Sequence, residues 1–571
     1  MKSIPEFLSY LRSLDIHLWV EEERLRYNAP KGVLTQELRE QLRARKTEIL
    51  AFLRQANVSA HASVQPIEPI PHDQPLPLSF NQQRLWFLNQ LEGPNPIYNV
   101  PMAWRIIGSL HISTLERCIT EIVRRHEALR TTFADSNGTP IQKIASPWDV
   151  RLSVVDLSHL SEDEVEDETR KLAFKDIETS FDLTQGPLFR GTVFRLKSNV
   201  HVLMIVVHHI IFDVWSIGVF IKELSALYRS FSANQPSPLS DLPIQYADFA
   251  HWQNTWLSGK ILEQQLTYWK EKLAGPLPIL ELPTDSPRPP MYHFHGAVHT
   301  FMLPDTIVTA VRTMSQKEGA TLFMVLLTVF KILLYRYTGQ VDIIVGSPIA
   351  NRTRPEVTSL IGFFVNTLVL RTDLSGNPNF LELLSRVKQT ATAAYAHQDT
   401  PFQHIVESLH IERNLSHPPI FQTSFILQNS QQANLDISGL TITQFKGDRN
   451  TAGVAFDLNL TIEETESGLM GIMEYNQNLF DDSTIARMAG HFQNLLRSVV
   501  SNPHNHITEL PLLDESEYQQ ILVEWNETQA EYPADACIHQ LIEKQTEKTP
   551  HAIAVIFEAQ QLTYQELNDR A

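Results

Sequence analysis

Six consecutive apolar residues, Val202-Leu203-Met204-Ile205-Val206-Val207, run directly into His208-His209-Ile210-Ile211-Phe212-Asp213. An unbroken apolar run of this length, rich in β-branched side chains, reads as a strand buried on both faces. Two imidazoles and a carboxylate at the mouth of such a strand are costly unless they are paired or used. Successive side chains on a strand point to opposite faces, so His208 and His209 do not line one cavity together. That geometry argues against a two-histidine metal site. It favours one working imidazole and one held in the scaffold.

Composition removes several classes of function. A net charge of −18 argues against a general binder of nucleic acid or anionic membranes. Cys118 and Cys537 are the only cysteines, so no disulfide framework and no CxxC zinc site is expected, and a reducing cytoplasm is the expected location. The N-terminus lacks an apolar core of signal-peptide type, and no apolar run reaches membrane-span length. With 571 residues, the chain is long enough for several domains.

Residues 1–57 read as a small separate module. Ile4, Phe7, Leu8, Leu11 and Leu14 recur at helical spacing. Leu18 and Val20, then Leu25 and Tyr27, alternate around Glu21-Glu22-Glu23, which predicts a hairpin. Thr35 is placed to cap a helix carrying Leu38, Leu42, Ile49, Leu50 and Leu53. This αββα(α) order, with "LRYNAPKGVLTQELREQLRARKTEILAFL", resembles N-terminal docking domains of the tubulysin-synthetase type. The resemblance implies capture of the C-terminal tail of an upstream synthetase subunit, and an exposed hairpin edge suits such strand addition. Residues 58–75, rich in Ala, Ser, Pro, Gln and His without periodicity, read as a linker.

From Leu76 onward a series of segments appears in one order: "LPLSFNQQRLWFLNQLEG", "RHEALRTTF", the "HHIIFD" segment, "YADFAHWQ", "IIVGSPIANR", "IGFFVNTLVLR", "HQDTPFQHIVE" and "RNLSHPPIFQ". Each alone reads as core helix, strand or turn. Together they resemble the motifs of condensation domains of nonribosomal peptide synthetases, acyltransferases similar to chloramphenicol acetyltransferase whose signature is HHxxxD. Two departures stand out: Asn81 where the family usually has Ala, and Val214 where it writes Gly after the aspartate. The resemblance implies an α/β (α+β) fold. Two chloramphenicol-acetyltransferase-like lobes, residues 76–245 and 246–505, would form a V-shaped pseudo-dimer around a central tunnel. A linker over 506–530 would lead into 531–571, where "LTYQEL" resembles the first motif of an adenylation domain. No phosphate loop or GxSxG occurs before Ala571, so no adenylating or serine-hydrolase activity is expected of this chain.

The implied reaction is attack of an amine on a thioester, through a tetrahedral oxyanion, with loss of a thiolate. An ammonium does not attack, and an imidazole beside the acceptor nitrogen suits the deprotonation. By resemblance His209 is that residue, as base or as a positioning group, and His208 is structural. Asp213 is expected as a buried scaffold charge paired with Arg352, since an unpaired buried carboxylate is heavily penalised. Arg84, Ser216 and Asn366 are expected to line or brace the substrate tunnel. Val214 lies near the donor path, where a residue without glycine's freedom would be strained at positive φ. His293 and His295 share a strand parity but have no third ligand, so no metal is expected. No cofactor is expected on the chain itself; phosphopantetheine would arrive on upstream donor and downstream acceptor carrier domains, and the remainder of an adenylation domain is the further partner. "EGPNPIYNVP" and "LSHPPIFQ" lean toward a D-configured donor.

Three functions compete on sequence alone. The first is amide-bond condensation. The second is a different reaction on the same scaffold, disfavoured because heterocyclisation domains replace the histidines with aspartate, epimerisation domains do not precede adenylation domains, and starter domains need no docking module. The third is a degenerate fold that only recruits carriers, which Val214 favours.

Overall fold

The computed structural model describes residues 17–21, 24–28, 36–46, 49 and 66–571, apart from 292–294, 412–415, 429–434, 436, 438, 446–453, 466–467 and 532–533. The expected helix over Ile4–Leu14, the cap at Thr35, the side chains of Leu50 and Leu53, and His293 lie outside these residues. The predicted hairpin forms: His17–Glu21 pairs antiparallel with Arg24–Asn28, Leu18 opposite Tyr27. The helix Gln36–Ala44 follows, with Leu38, Leu42 and Ile49 buried.

The larger body is mixed α/β with two hydrophobic cores, each on its own sheet. In the N-terminal sheet, Val200–His208 is central, paired antiparallel with Asn99–Ile107 on one side and Phe189–Lys197 on the other. Val202 to Val207 are each at most 2% exposed, as an unbroken apolar strand requires. Helices Ile112–Arg125 and Val214–Ser232 add to this core. The second sheet has six strands in the order Gly296–Met302, Gly468–Asn476, Leu458–Thr465, Thr423–Gln428, Asp342–Ile349, Asn366–Asp373. Its central helix, Leu322–Thr338, is buried along most of its length and carries Lys331 with no exposed surface. The Lys331 Nζ donates to the carbonyls of Ile343 and Leu370. Burial pulls its pKa down to about 7.

The two cores do not divide at residue 246. Tyr246 and Phe249 belong to the N-terminal core, and so do Val357, Leu360, Ile361, Phe363 and Phe364 from the second half of the chain. Strand Thr441–Gln444 also crosses over, joining the first sheet antiparallel to Asn99–Ile107. Contiguous apolar patterning identifies a buried segment but not which core buries it.

Described residues of both expected linkers also pack against the larger body. Ile67 is buried, the Ile70 amide donates to Asp248, and His72 bridges Asp248 and Glu127, so residues 66–75 are pinned to the body. At the other end, Ile507 and Leu510 are buried in the second core. Residues 513–571 form a separate compact unit with helices Glu515–Leu522 and Ile538–Lys548 and the hairpin Ile553–Phe557/Gln560–Thr563. There "LTYQEL" runs from strand into the helix Tyr564–Arg570, whose start is fixed by the Thr563–Glu566 capping box. Among the described residues no single helix is long and apolar enough to cross a membrane.

Candidate active site

At the end of the central strand the backbone turns into a short 3-10 segment, His209–Ile211. His208, 2% exposed, uses Nδ1 to accept the Ile210 amide at 3.1 Å, within reach of the Phe181 and Tyr98 rings. Burial drives its pKa down to about 3, and the neighbouring His209 adds to the effect. A neutral ring committed to a backbone amide is a structural group.

His209 differs. The residue is half-buried, and its ring lies 4.7 Å from the Phe363 ring at 60°. Its Nδ1 is buried with no hydrogen bond of good geometry among the described residues. Burial lowers its pKa, while the Asp213 carboxylate and the nearby carbonyls of His209 and Phe212 pull the other way. Burial is the largest of these effects, so the neutral form of the ring is favoured.

Asp213 has no exposed surface and caps the helix Val214–Ser232 by accepting from the Ser216 amide at 2.8 Å. It also accepts from Ser216 Oγ at 2.7 Å, Arg352 Nη2 at 3.0 Å and the Phe364 amide at 3.1 Å. Arg352 spends Nη1 on the carbonyls of Val357 and Leu360, both at 2.6 Å, and stacks over Phe364 at 4.0 Å. Burial lowers the Arg352 pKa, and Asp213 counters it.

These contacts explain how residues 360–365, which lack regular secondary structure, sit inside the N-terminal core. A buried loop carries backbone groups that need partners. Here side chains supply them. His126 Nδ1 accepts the Ile361 amide, Ser216 Oγ the Gly362 amide and Asp213 the Phe364 amide. Tyr246 Oη donates to the Phe363 carbonyl at 2.6 Å, and Asn81 Nδ2 to the Val365 carbonyl at 2.6 Å. A Cβ on Gly362 would lie 2.0 Å from the Tyr246 ring, so only glycine allows this approach. The tongue so held places Phe363 against His209. Asn81, unusual at its position, is one of its clamps.

The remaining expected residues divide. Ser216, expected along the substrate path, is fully buried under Asp213 and Arg352, and Asn366, 4% exposed, spends its amide on the Gln398 and Thr400 carbonyls and the Phe402 amide. Both brace the fold through these bonds. Arg84 is exposed, with its guanidinium 5.5 Å over the Phe402 ring, and desolvation lowers its pKa. Val214 is 49% exposed and is the first residue of the helix, in right-handed helical backbone, so the strain expected at positive φ is absent. Among the described residues no cluster of His, Cys, Asp or Glu is arranged to hold a metal.

The family model described as "Condensation domain" matches residues 72–522, and that described as "TubC N-terminal docking domain" matches residues 4–55. The chain belongs to the condensation-domain family and carries a docking domain of the TubC type ahead of it. It is 48% identical over 504 residues to one of the subunits of linear gramicidin synthase of Brevibacillus parabrevis, covering 88% of this chain and 10% of that protein. It is 42% identical over 510 residues to malpinin synthetase of Mortierella alpina, covering 89% and 6%. The chain thus spans about a tenth or less of these relatives. Among solved structures, the X-domain from teicoplanin biosynthesis aligns with a TM-score of 0.71 at 27% identity, covering 79% of this chain and 100% of that one. A four-domain nonribosomal peptide synthetase bound to AMP and glycine aligns with a TM-score of 0.75, covering 86% and 38%; at 22% identity it speaks for the fold alone.

Proposed function

We propose that this chain forms an amide bond between an acyl or peptidyl group held as a thioester on an upstream carrier domain and the amine of an aminoacyl group on a downstream carrier domain. The observation that carries the reading is His209: a neutral, half-buried imidazole at a strand mouth, beside a histidine already committed to the backbone. The amine nitrogen attacks the thioester carbonyl, a C–N bond forms, the C–S bond breaks, and the amine's proton leaves by way of His209 to the departing thiolate. His209 acts as base or holds the amine; either use needs a neutral ring. Asp213 and Arg352 keep the strand mouth and the tongue in register without taking part in proton transfer.

The two cores form two lobes in a V, with the substrate tunnel between them and Arg84 on its wall. Phosphopantetheine reaches it on the carriers, and the chain itself holds no cofactor. Residues 1–57 take the tail of an upstream subunit, and 531–571 begin an adenylation domain whose remainder is a further partner. The recruitment-only alternative rests on Val214, and a helical backbone at that position removes the strain that favours it. Reconstitution with donor and acceptor carriers loaded from a panel of amino acids tests the reading: the acceptor carrier gains the donor's acyl mass if it holds, and stays unchanged across the panel if it does not.

A further inference from the structure

The segment Arg125-His126-Glu127 enters no step above, yet it holds a buried polar cluster. His126 is 1% exposed and Glu223 6%. Glu223 accepts from Arg125 at 3.2 and 3.3 Å and faces His126 Nε2 at 3.0 Å. On its other side the imidazole meets the Ile361 amide at 3.2 Å from Nδ1. An amide N–H only donates, so Nδ1 carries the lone pair and Nε2 carries the proton that is given to Glu223. The carboxylate thereby fixes the tautomer that the tongue needs, as a carboxylate orients a ligating histidine in a metal site.

Ile361 lies two residues before Phe363. Between them Gly362 is pressed against the Tyr246 ring, and beyond them Tyr246 holds the Phe363 carbonyl. The Ile361 amide is therefore the upstream pin of the short span that presents the Phe363 ring to His209.

We propose that His126 is a positioning residue for His209: its bond to the Ile361 amide sets where the Phe363 ring lies against the imidazole, and Glu223 holds the tautomer that makes the bond. The proposal rests on the reading of His209 as the working group, but its first readout does not need turnover. In full-length protein with isotope-labelled histidine, the His209 ring resonance, identified by its loss in His209→Ala, carries the ring-current shift of Phe363. Phe363→Leu removes that shift. His126→Asn keeps an acceptor near the Nδ1 position, and His126→Gln keeps a donor near the Nε2 position facing Glu223. The expected result is that His126→Asn preserves the His209 resonance and His126→Gln moves it toward the Phe363→Leu position.

With loaded carriers, misplacement on the ångström scale lowers kcat by about 10²-fold in His126→Gln, with KM for both carriers within about threefold. His126→Asn stays within about threefold of wild type in kcat. Identical resonances and kcat in the Asn and Gln variants, or a Phe363→Leu variant whose His209 resonance is unmoved, overturns the proposal. A wild type that shows the resonance pattern but no condensation overturns the proposed function and leaves this link standing.

Discussion

Asp213→Ala removes a carboxylate on which four donor groups converge. Arg352, with 1% of its side chain exposed, loses its counter-charge, and the Ser216 and Phe364 amides and the Ser216 hydroxyl lose an acceptor. Breaking one side of a buried ion pair costs about 3–5 kcal/mol. A buried amide left without an acceptor adds about 1–3 kcal/mol. The sum is comparable to the whole stability of a domain, about 5–15 kcal/mol. At about 2–4 °C per kcal/mol for a lobe of this size, the ion-pair cost alone lowers the melting temperature by on the order of 10 °C. Thermal and denaturant melts of the full chain read the effect. The companion is Asp213→Leu with Arg352→Met, which removes both charges; replacing a buried pair by apolar groups is often near neutral, so the double variant recovers much of the loss. A normal melt for Asp213→Ala, or a double variant less stable than the single one, refutes the reasoning.

Val214→Gly changes single-turnover condensation by less than about tenfold, about 1.4 kcal/mol in the barrier, because valine there sits in helical backbone; a silent wild type restored by glycine contradicts this. Deleting residues 1–57 leaves the melt of the larger body unchanged and abolishes calorimetric binding of the upstream subunit's C-terminal peptide; equal affinity for both forms ends the docking assignment. For Lys331, burial puts the folded pKa at about 7 against the ordinary lysine value of 10.5. Between these values the unfolded chain binds the extra proton, so the contribution of Lys331 to stability rises with pH from about 7 to 10.5 and is flat outside that window. Denaturant midpoints measured across it show that rise in wild type and not in Lys331→Met; parallel pH profiles count against a buried, deprotonating lysine.

The central strand is legible in the sequence because its signal is local: six apolar residues and a period that forbids two histidines on one face. The pairing of Asp213 with Arg352 follows from the motif resemblance alone, since 139 residues separate them and no periodicity links them. The tongue at 360–365 is not legible as such. It has no regular structure, and its backbone partners are scattered over Asn81, His126, Asp213, Ser216 and Tyr246. Val214 does have a sequence signal for its place. Asp213 is an N-cap residue ahead of Ile217, Phe220, Ile221 and Leu224, so the position after it is the first of a helix and has negative φ. The same signal relocates Ser216: as the N3 residue its amide and hydroxyl turn back to the cap rather than to a passage.

The most direct measurement is the mass of the acceptor carrier after a single turnover, with wild type and His209→Ala compared on loaded donor and acceptor carriers. Wild type is expected to transfer the donor's acyl group, and His209→Ala, with an unchanged melt, to be slower by about 10²–10⁴-fold, the range of general acid–base catalysis. Transfer at the wild-type rate by a folded His209→Ala variant contradicts the assignment of the working imidazole.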